Sequence, residues 1–165
     1  KITALSVFLL ICLSIVALGM YYYPQLPETV ACHFGSSGQA DGWLPKATFF
    51  KGFYLFIAFL VVLFPGIAVS LSKMPVSLIN LPNKDYWMAP ERKRKTLDFM
   101  FSYLLWIGSA TLLLILDLLA QTIRVHLGNE ETLTHIWPSI GLFAAFVILW
   151  LIGLYRKFGK TGTEG

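Results

Sequence analysis

The most unusual polar residues of the chain interrupt an apolar stretch, LILDLLAQTIRVHLG. Asp117, Gln121 and Arg124 are spaced i, i+4 and i+7, which places them on one face of a helix. Asp117 and Arg124 are then about 10 Å apart along the helix axis, so we expect Gln121 to bridge them or each to pair with another helix. Ionisable groups at such a depth usually face a bundle interior or a water-filled cavity. The pattern indicates either a functional polar pocket or a helix end that emerges into water.

A second set of candidate residues lies outside the apolar stretches. Imidazole and carboxylate groups are ligands for zinc and related metals, and a site would combine His33 and Asp41 with His126 or His135. No pair has a strong ligand spacing such as H-x-x-x-H, and His126 lies on the opposite helix face from Asp117. We therefore predict no cofactor and expect the loop histidines to hydrogen-bond turns. A zinc site on the outer side is the alternative.

Arrangements for nucleophilic catalysis are missing from the sequence. There is no G-x-S-x-G elbow, and Cys32 directly precedes His33, although adjacent side chains commonly point apart. A disulfide between Cys12 and Cys32 would need a large distortion, because a membrane helix and part of a loop separate them. We predict no catalytic residues and a protein without enzymatic activity, with an intramembrane hydrolase as the alternative.

The elements that position these residues follow from composition. The chain has 165 residues, of which 56% are hydrophobic and 13% are charged, and its mean hydropathy is +0.68. A soluble domain is closer to 25% charged. Four uncharged stretches reach the roughly 20 residues that a helix needs to cross a bilayer: 2–23, 52–72, 99–116 and 136–155. They do not alternate as barrel strands do. A signal peptide is the alternative for the first stretch, but it exceeds the usual length of a signal core.

These stretches predict an all-α integral membrane protein that forms a single four-helix domain. The predicted spans are 2–23, 50–72, 97–120 and 136–155, with outer loops at 24–49 and 121–135 and a cytoplasmic loop at 73–96. Ten of the 13 Lys and Arg residues lie before the first span, in the 73–96 loop or after the fourth span. The positive-inside rule therefore places both termini in the cytoplasm. Basic residues at these positions meet the lipid bilayer, so nucleic acid is not expected as a partner.

The polar segments carry their own local signals. The stretch HFGSSGQADGW (33–43) is rich in turn-forming residues and follows two prolines that stop the first helix. Pro65 is expected to kink the second helix, whereas Pro90 is expected to begin a helix that continues into the third span. Two pairs have the four-residue spacing that allows close helix contact: Gly66 with Ser70 and Gly141 with Ala145.

Two polar segments, LPETVACHFGSSGQADGWLPK (26–46) and NLPNKDYWMAPERK (80–93), resemble a bacterial multi-pass membrane family of unknown function. The same domain forms the N-terminal part of the membrane immunity protein against the sporulation-delaying toxin. The resemblance maps onto Pro27, His33, Gly38, Asp41, Gly42 and Lys46 in the outer loop, and onto Asn80, Pro82, Asn83, Tyr86, Trp87 and Pro90 in the cytoplasmic loop.

The resemblance implies a multi-pass protein of the bacterial cytoplasmic (inner) membrane. It marks His33, Gly38, Asp41, Gly42 and Lys46 as tentative ligand-binding residues. The second, cytoplasmic signature comprises Asn80, Pro82, Asn83, Tyr86 and Trp87. The immunity protein has further helices beyond this domain, and this chain shows no such second half.

Three functions fit these observations. The first is a non-enzymatic binding, sensing or immunity-type protein that meets an exported peptide through its outer loop. The second is a small structural subunit that contacts other membrane protein subunits. The third is a transporter or metal-dependent membrane enzyme that uses the face of Asp117.

Overall fold

A computed structural model describes residues 1–128, 130 and 132–161 of the chain. The elements, in chain order, are helix α1 (Ile2–Tyr22), strands β1 (Thr29–Phe34) and β2 (Ala40–Pro45), helix α2 (Lys46–Lys73), the single-turn helix α3 (Lys84–Trp87), helix α4 (Pro90–His126) and helix α5 (Ile136–Phe158). Short 3₁₀ turns cover Tyr23–Gln25 and Val76–Leu78.

The four long helices α1, α2, α4 and α5 are each long and apolar enough to cross a membrane. A backbone in lipid must satisfy its own hydrogen bonds, and a helix does so within one segment. The molecule is therefore a multi-pass membrane protein with polar segments at both ends of its bundle. We call the end with β1, β2 and the described residues between α4 and α5 the hairpin end, and the end with residues 74–89 the basic end.

Helix α4 lies at the centre of the bundle and packs against α1, α2 and α5. Gly108 explains how α1 and α2 can both approach it closely. A Cβ atom on Gly108 would lie 2.8 Å from Cγ of Phe64 on α2 and 2.9 Å from Cε2 of Phe8 on α1. The core of this region is built from buried Ile, Leu and Phe side chains of the three helices, including Leu105 and Leu112 of α4.

The prediction of an all-α protein is wrong for the segment between α1 and α2. Residues 29–45 form a two-stranded antiparallel hairpin in which Thr29 pairs with Pro45 and Phe34 pairs with Ala40. β-Branched residues favour an extended backbone here. The strands were not predicted, because bulges near His33 interrupt the alternation of side chains from which strands are recognised in a sequence.

The helices also extend beyond the predicted spans. Helix α2 begins at Lys46 rather than residue 50 and continues through Pro65, and α4 continues to His126, beyond the predicted limit of residue 120. Span predictions follow apolar residues, whereas helices continue into the polar region outside the hydrocarbon layer. The predicted start of α4 at Pro90 is confirmed.

Helix α5 is attached to α4 midway along its length by a reciprocal pair of hydrogen bonds. The Tyr103 hydroxyl donates to the Trp150 carbonyl (2.7 Å), and the Trp150 indole N–H donates to the Tyr103 carbonyl (3.0 Å). The two rings are stacked with centroids 4.8 Å apart. Gly153 leaves space for Tyr103, because a Cβ atom there would collide with the tyrosine hydroxyl.

The second signature holds the C-terminal end of α5. The Phe158 carbonyl accepts hydrogen bonds from the Asn83 amide (2.9 Å) and the Trp87 indole N–H (3.1 Å). Asn83 has φ of +50°, a left-handed conformation that asparagine tolerates. Arg92 donates to the Tyr86 carbonyl (2.8 Å) and stacks over its ring. These signature residues therefore hold the α5 C-terminus, while Asn80 and Pro82 are exposed.

We expect loss of the Asn83 and Trp87 hydrogen bonds to destabilise the basic end. Asn83→Gly retains access to the left-handed conformation, and Trp87→Phe retains an aromatic ring, so both remove mainly a donor. Each should lower the free energy of unfolding by about 1 kcal/mol. The double variant should lose more than the sum, because the Phe158 carbonyl then has neither donor. Denaturation in lipid nanodiscs measures these losses, and a strictly additive double variant would contradict the shared-carbonyl arrangement.

Candidate functional site

The hairpin is docked on the bundle through its tip. Gly38 has φ of +80°, and its carbonyl accepts a hydrogen bond from the Leu133 N–H (2.9 Å). A Cβ atom on Gly38 would lie 2.9 Å from the Leu133 carbonyl oxygen. The indole N–H of Trp137 donates to the Ser36 carbonyl (3.2 Å). Gly38 is thus required for docking of the tip against the segment that precedes α5.

His33 and Asp41 lie together on the exposed part of the hairpin. His33 Nδ1 contacts Asp41 Oδ1, and the two side chains are 72% and 53% exposed. Gly42 pairs with His33 across the hairpin, and a Cβ atom there would lie 2.9 Å from His33 Cβ. Cys32, beside this pair, is an exposed free thiol, and Cys12 is also free, as predicted. The predicted residues His33, Asp41 and Gly42 are therefore one surface feature, which we call the His33–Asp41 pair.

Lys46 has a different environment from the His33–Asp41 pair. Its side chain is only 13% exposed, and Nζ donates to the Leu26 carbonyl (3.0 Å) and pairs with Glu28 (3.2 Å). The ammonium also lies 5.2 Å from the ring centroid of Tyr23. Lys46, at the start of α2, therefore holds the segment that follows α1 in place.

His126 joins the hairpin to α4 and is the residue whose role the sequence did not reveal. Its Nδ1 lies 2.7 Å from the Thr122 carbonyl, which can only accept, so Nδ1 carries the proton. Its Nε2 accepts from the N–H of Ala31 (2.6 Å), a residue that is fully buried. Trp43 packs edge-on against the same ring, with centroids 5.9 Å apart. Both nitrogens of His126 are thus engaged by the backbone.

The four candidate metal ligands do not converge within the described residues. No group of three or more His, Cys, Asp or Glu side chains suited to a metal ion occurs in the described part of the chain. His33 and Asp41 meet, whereas His126 is used in docking. His135 immediately precedes α5, and its backbone N–H donates to Gln121 Oε1 (3.1 Å).

The polar face of α4 forms a network with the start of α5. Gln121, which has no exposed surface, donates to Asp117 Oδ2 (2.6 Å) and to Ser139 Oγ (3.3 Å). The Ser139 hydroxyl also donates to Asp117 Oδ2 (2.6 Å). Of the two expected arrangements, pairing with another helix is found for Asp117, through Ser139 on α5. No hydrogen bond described for Gln121 reaches Arg124, which pairs with Glu130 (3.1 Å). Helical spacing placed Asp117 and Gln121 on one face but could not identify the partner helix.

A cleft of about 510 Å³ lies beside this network, between α1, α4 and α5. Asp117 and Ser139 are at its polar end, and Trp106 lies farther along α4. The lining residues are Val7, Ile11, Trp106, Ser109, Ala110, Leu113, Leu114, Asp117, Ser139, Leu142, Phe143 and Phe146. The cleft is therefore apolar over most of its wall and carries one carboxylate.

Comparison with known proteins assigns one segment of the chain. Residues 10–58 match the model of a domain of unknown function, DUF1648. This segment includes most of α1, the whole hairpin and the first part of α2. No curated protein and no solved structure matches the chain. The match confirms that the segment containing the first signature is a domain of unknown function, and it names no activity and no immunity protein.

We expect His126→Phe to weaken docking of the hairpin. Phenylalanine retains a ring against Trp43 but leaves the buried Ala31 N–H without its acceptor, which should cost about 1–3 kcal/mol. The measurements are thermal unfolding in nanodiscs and hydrogen exchange of the Ala31 amide, which should become faster.

His135→Phe is the matched control, because the hydrogen bonds described for His135 use its backbone atoms. Equal stability and equal Ala31 exchange in the two variants would contradict the role assigned to His126.

Proposed function

We propose that this protein is a non-enzymatic binding or sensing protein of the bacterial cytoplasmic membrane, with an immunity-type role against an exported peptide. The observation that carries this proposal is the exposed His33–Asp41 pair on a hairpin held at several points. Binding residues commonly lie on loops that a rigid scaffold positions. The contacts through Gly38, His126 and Trp137 supply that scaffold.

The surface around the pair supports recognition of a peptide. Trp43 and Leu44 of β2 are 55% and 38% exposed, so apolar surface continues from the pair. Asp41 supplies an exposed carboxylate to this surface, whereas Glu28 lies at the base of the hairpin and pairs with Lys46. Aromatic side chains with a few polar groups are typical of binding surfaces. The ligand that fits is an exported peptide with apolar residues and hydrogen-bond donors or basic groups.

A binding measurement tests the role of the pair. The protein is placed in nanodiscs and labelled with a fluorophore on Ser37→Cys, in a Cys32→Ser background. The fluorescence should change when peptide fractions secreted by the source bacterium are added. Asp41→Asn should reduce the response at least tenfold without loss of folded protein. Asp98→Asn is the matched control, because Asp98 is another exposed carboxylate with an ion-pair partner, Lys1. Asp98 lies near the start of α4, at the opposite end of the bundle from the hairpin. Equal responses of Asp41→Asn and unmodified protein would contradict the proposal.

The proposed orientation has both termini in the cytoplasm and the hairpin outside. The distribution of Lys and Arg supports it, because residues 73–96 and the segments before the first span and after the fourth hold ten of these 13 residues.

The two cysteines allow the orientation to be measured directly. A membrane-impermeant maleimide should label exposed Cys32 in intact cells, whereas buried Cys12 should remain unlabelled. Cys32→Ser should abolish labelling. Labelling of Cys32 only after the cells are opened would place the hairpin in the cytoplasm and contradict an extracellular ligand.

A structural subunit of a larger membrane complex is the second candidate. The most apolar part of α5 contains no buried residue. A Cβ atom on Gly66 of α2 or Gly141 of α5 would meet no atom of the described residues within 4 Å, so neither glycine is in close contact with a neighbouring helix. Small residues on a helix face favour close packing between membrane helices. Stoichiometric recovery of another chain after gentle purification, lost on Gly141→Leu, would favour this candidate.

A further inference from the structure

We propose that the cleft between α1, α4 and α5 binds a single-chain cationic amphiphile. The alkyl chain occupies the apolar part of the cleft, and a primary ammonium head group binds Asp117. This site is separate from the hairpin surface and does not rest on the function proposed above.

The dimensions of the cleft fit one alkyl chain. Trp106 and Asp117 both line it and are 11 positions apart on α4, which corresponds to about 16 Å along the helix axis. This length is about half of a hydrocarbon core roughly 30 Å thick, so it equals the depth of one leaflet. The cleft of about 510 Å³ therefore has the length and the space for one alkyl chain.

The carboxylate determines the charge of the head group. Gln121 and Ser139 both donate to Oδ2 of Asp117, and no hydrogen bond described for this residue uses Oδ1. Asp117 also lines the cleft. No Lys or Arg in the described part of the chain forms an ion pair with Asp117, and Arg124 pairs with Glu130. An ammonium group supplies both the missing charge and up to three donors. A carboxylate head group would be repelled.

The depth of Asp117 also suits an amphiphile. Ser139, its partner, is in the first turn of α5, next to Trp137, and tryptophan is typical of the membrane–water boundary. The head group is thus held at the boundary while the chain extends into the same leaflet. This is the orientation that an amphiphile already has in a bilayer, so it can enter the cleft from the side.

Dodecylamine is a suitable probe, compared with dodecanol and dodecanoate, which have chains of equal length. Native mass spectrometry of the full chain released from nanodiscs should show one dodecylamine per protein. Dodecylamine should bind at least tenfold more tightly than either of the others. Asp117→Asn should reduce dodecylamine affinity at least tenfold, and it preserves side-chain size and an acceptor for Gln121 and Ser139.

Two tryptophan variants separate the cleft from the lipid-exposed surface. Leu113→Trp places bulk in the cleft and should abolish binding, whereas Leu149→Trp, on an exposed part of α5 outside the cleft, should not. If Asp117→Asn fails to fold, the comparison of the three probes and the Leu113→Trp variant still test whether the cleft binds a cationic amphiphile.

Equal binding of the three probes, or equal binding by the Leu113 and Leu149 variants, would overturn the proposal, because either result indicates simple partitioning. Crosslinking of Leu113→Cys to another chain, together with failure of dodecylamine to bind, would show that a partner protein occupies the cleft.

Discussion

Attachment of α5 by hydrogen bonds is the constraint on which the rest of this structure depends. In a bilayer, burying apolar side chains between helices gains little, since lipid tails are as apolar as leucine. Helix α5 illustrates this, because its most apolar part contains no buried residue. It is instead joined to the other elements at three levels. Gln121 and Asp117 bind Ser139 at the hairpin end, Tyr103 and Trp150 bind each other midway, and the Phe158 carbonyl receives two donors at the basic end.

This attachment has consequences for both candidate sites. Because polar contacts hold α5 against α4 and not against α1, a lateral cleft is left between α1 and α5. The first turn of α5, which contains Ser139, also contacts the hairpin tip through Trp137. Leu133, just before this turn, donates to the Gly38 carbonyl of the tip. Gln121 thus holds Ser139, which lines the cleft, and the backbone of His135, which precedes the turn that contacts the hairpin.

The sequence allowed the membrane architecture to be predicted but not the tertiary polar contacts. Span length and apolar composition identified all four helices, and Pro90 correctly marked the start of α4. The hairpin was missed because bulges interrupt its alternation, and the all-α class was wrong there. Helical spacing placed Asp117 and Gln121 on one face, yet Ser139 is 18 residues from Gln121 and has no pattern that links the two. The role of His126 in docking the hairpin was not predicted for the same reason, since its partner Ala31 lies 95 residues away.

A double-mutant cycle between Asp117 and Ser139 tests the central claim, that hydrogen bonds across α4 and α5 hold the fourth membrane helix. Asp117→Leu, Ser139→Ala and the double variant would be unfolded reversibly in bicelles, and their free energies of unfolding compared with the unmodified chain. We expect a coupling energy between the two residues of about 0.6 kcal/mol and at most about 1.7 kcal/mol, which are the average and the maximum for hydrogen bonds between membrane helices. Strict additivity of the two changes would contradict the claim, because the hydrogen bond between Asp117 and Ser139 would then contribute nothing to the attachment of α5.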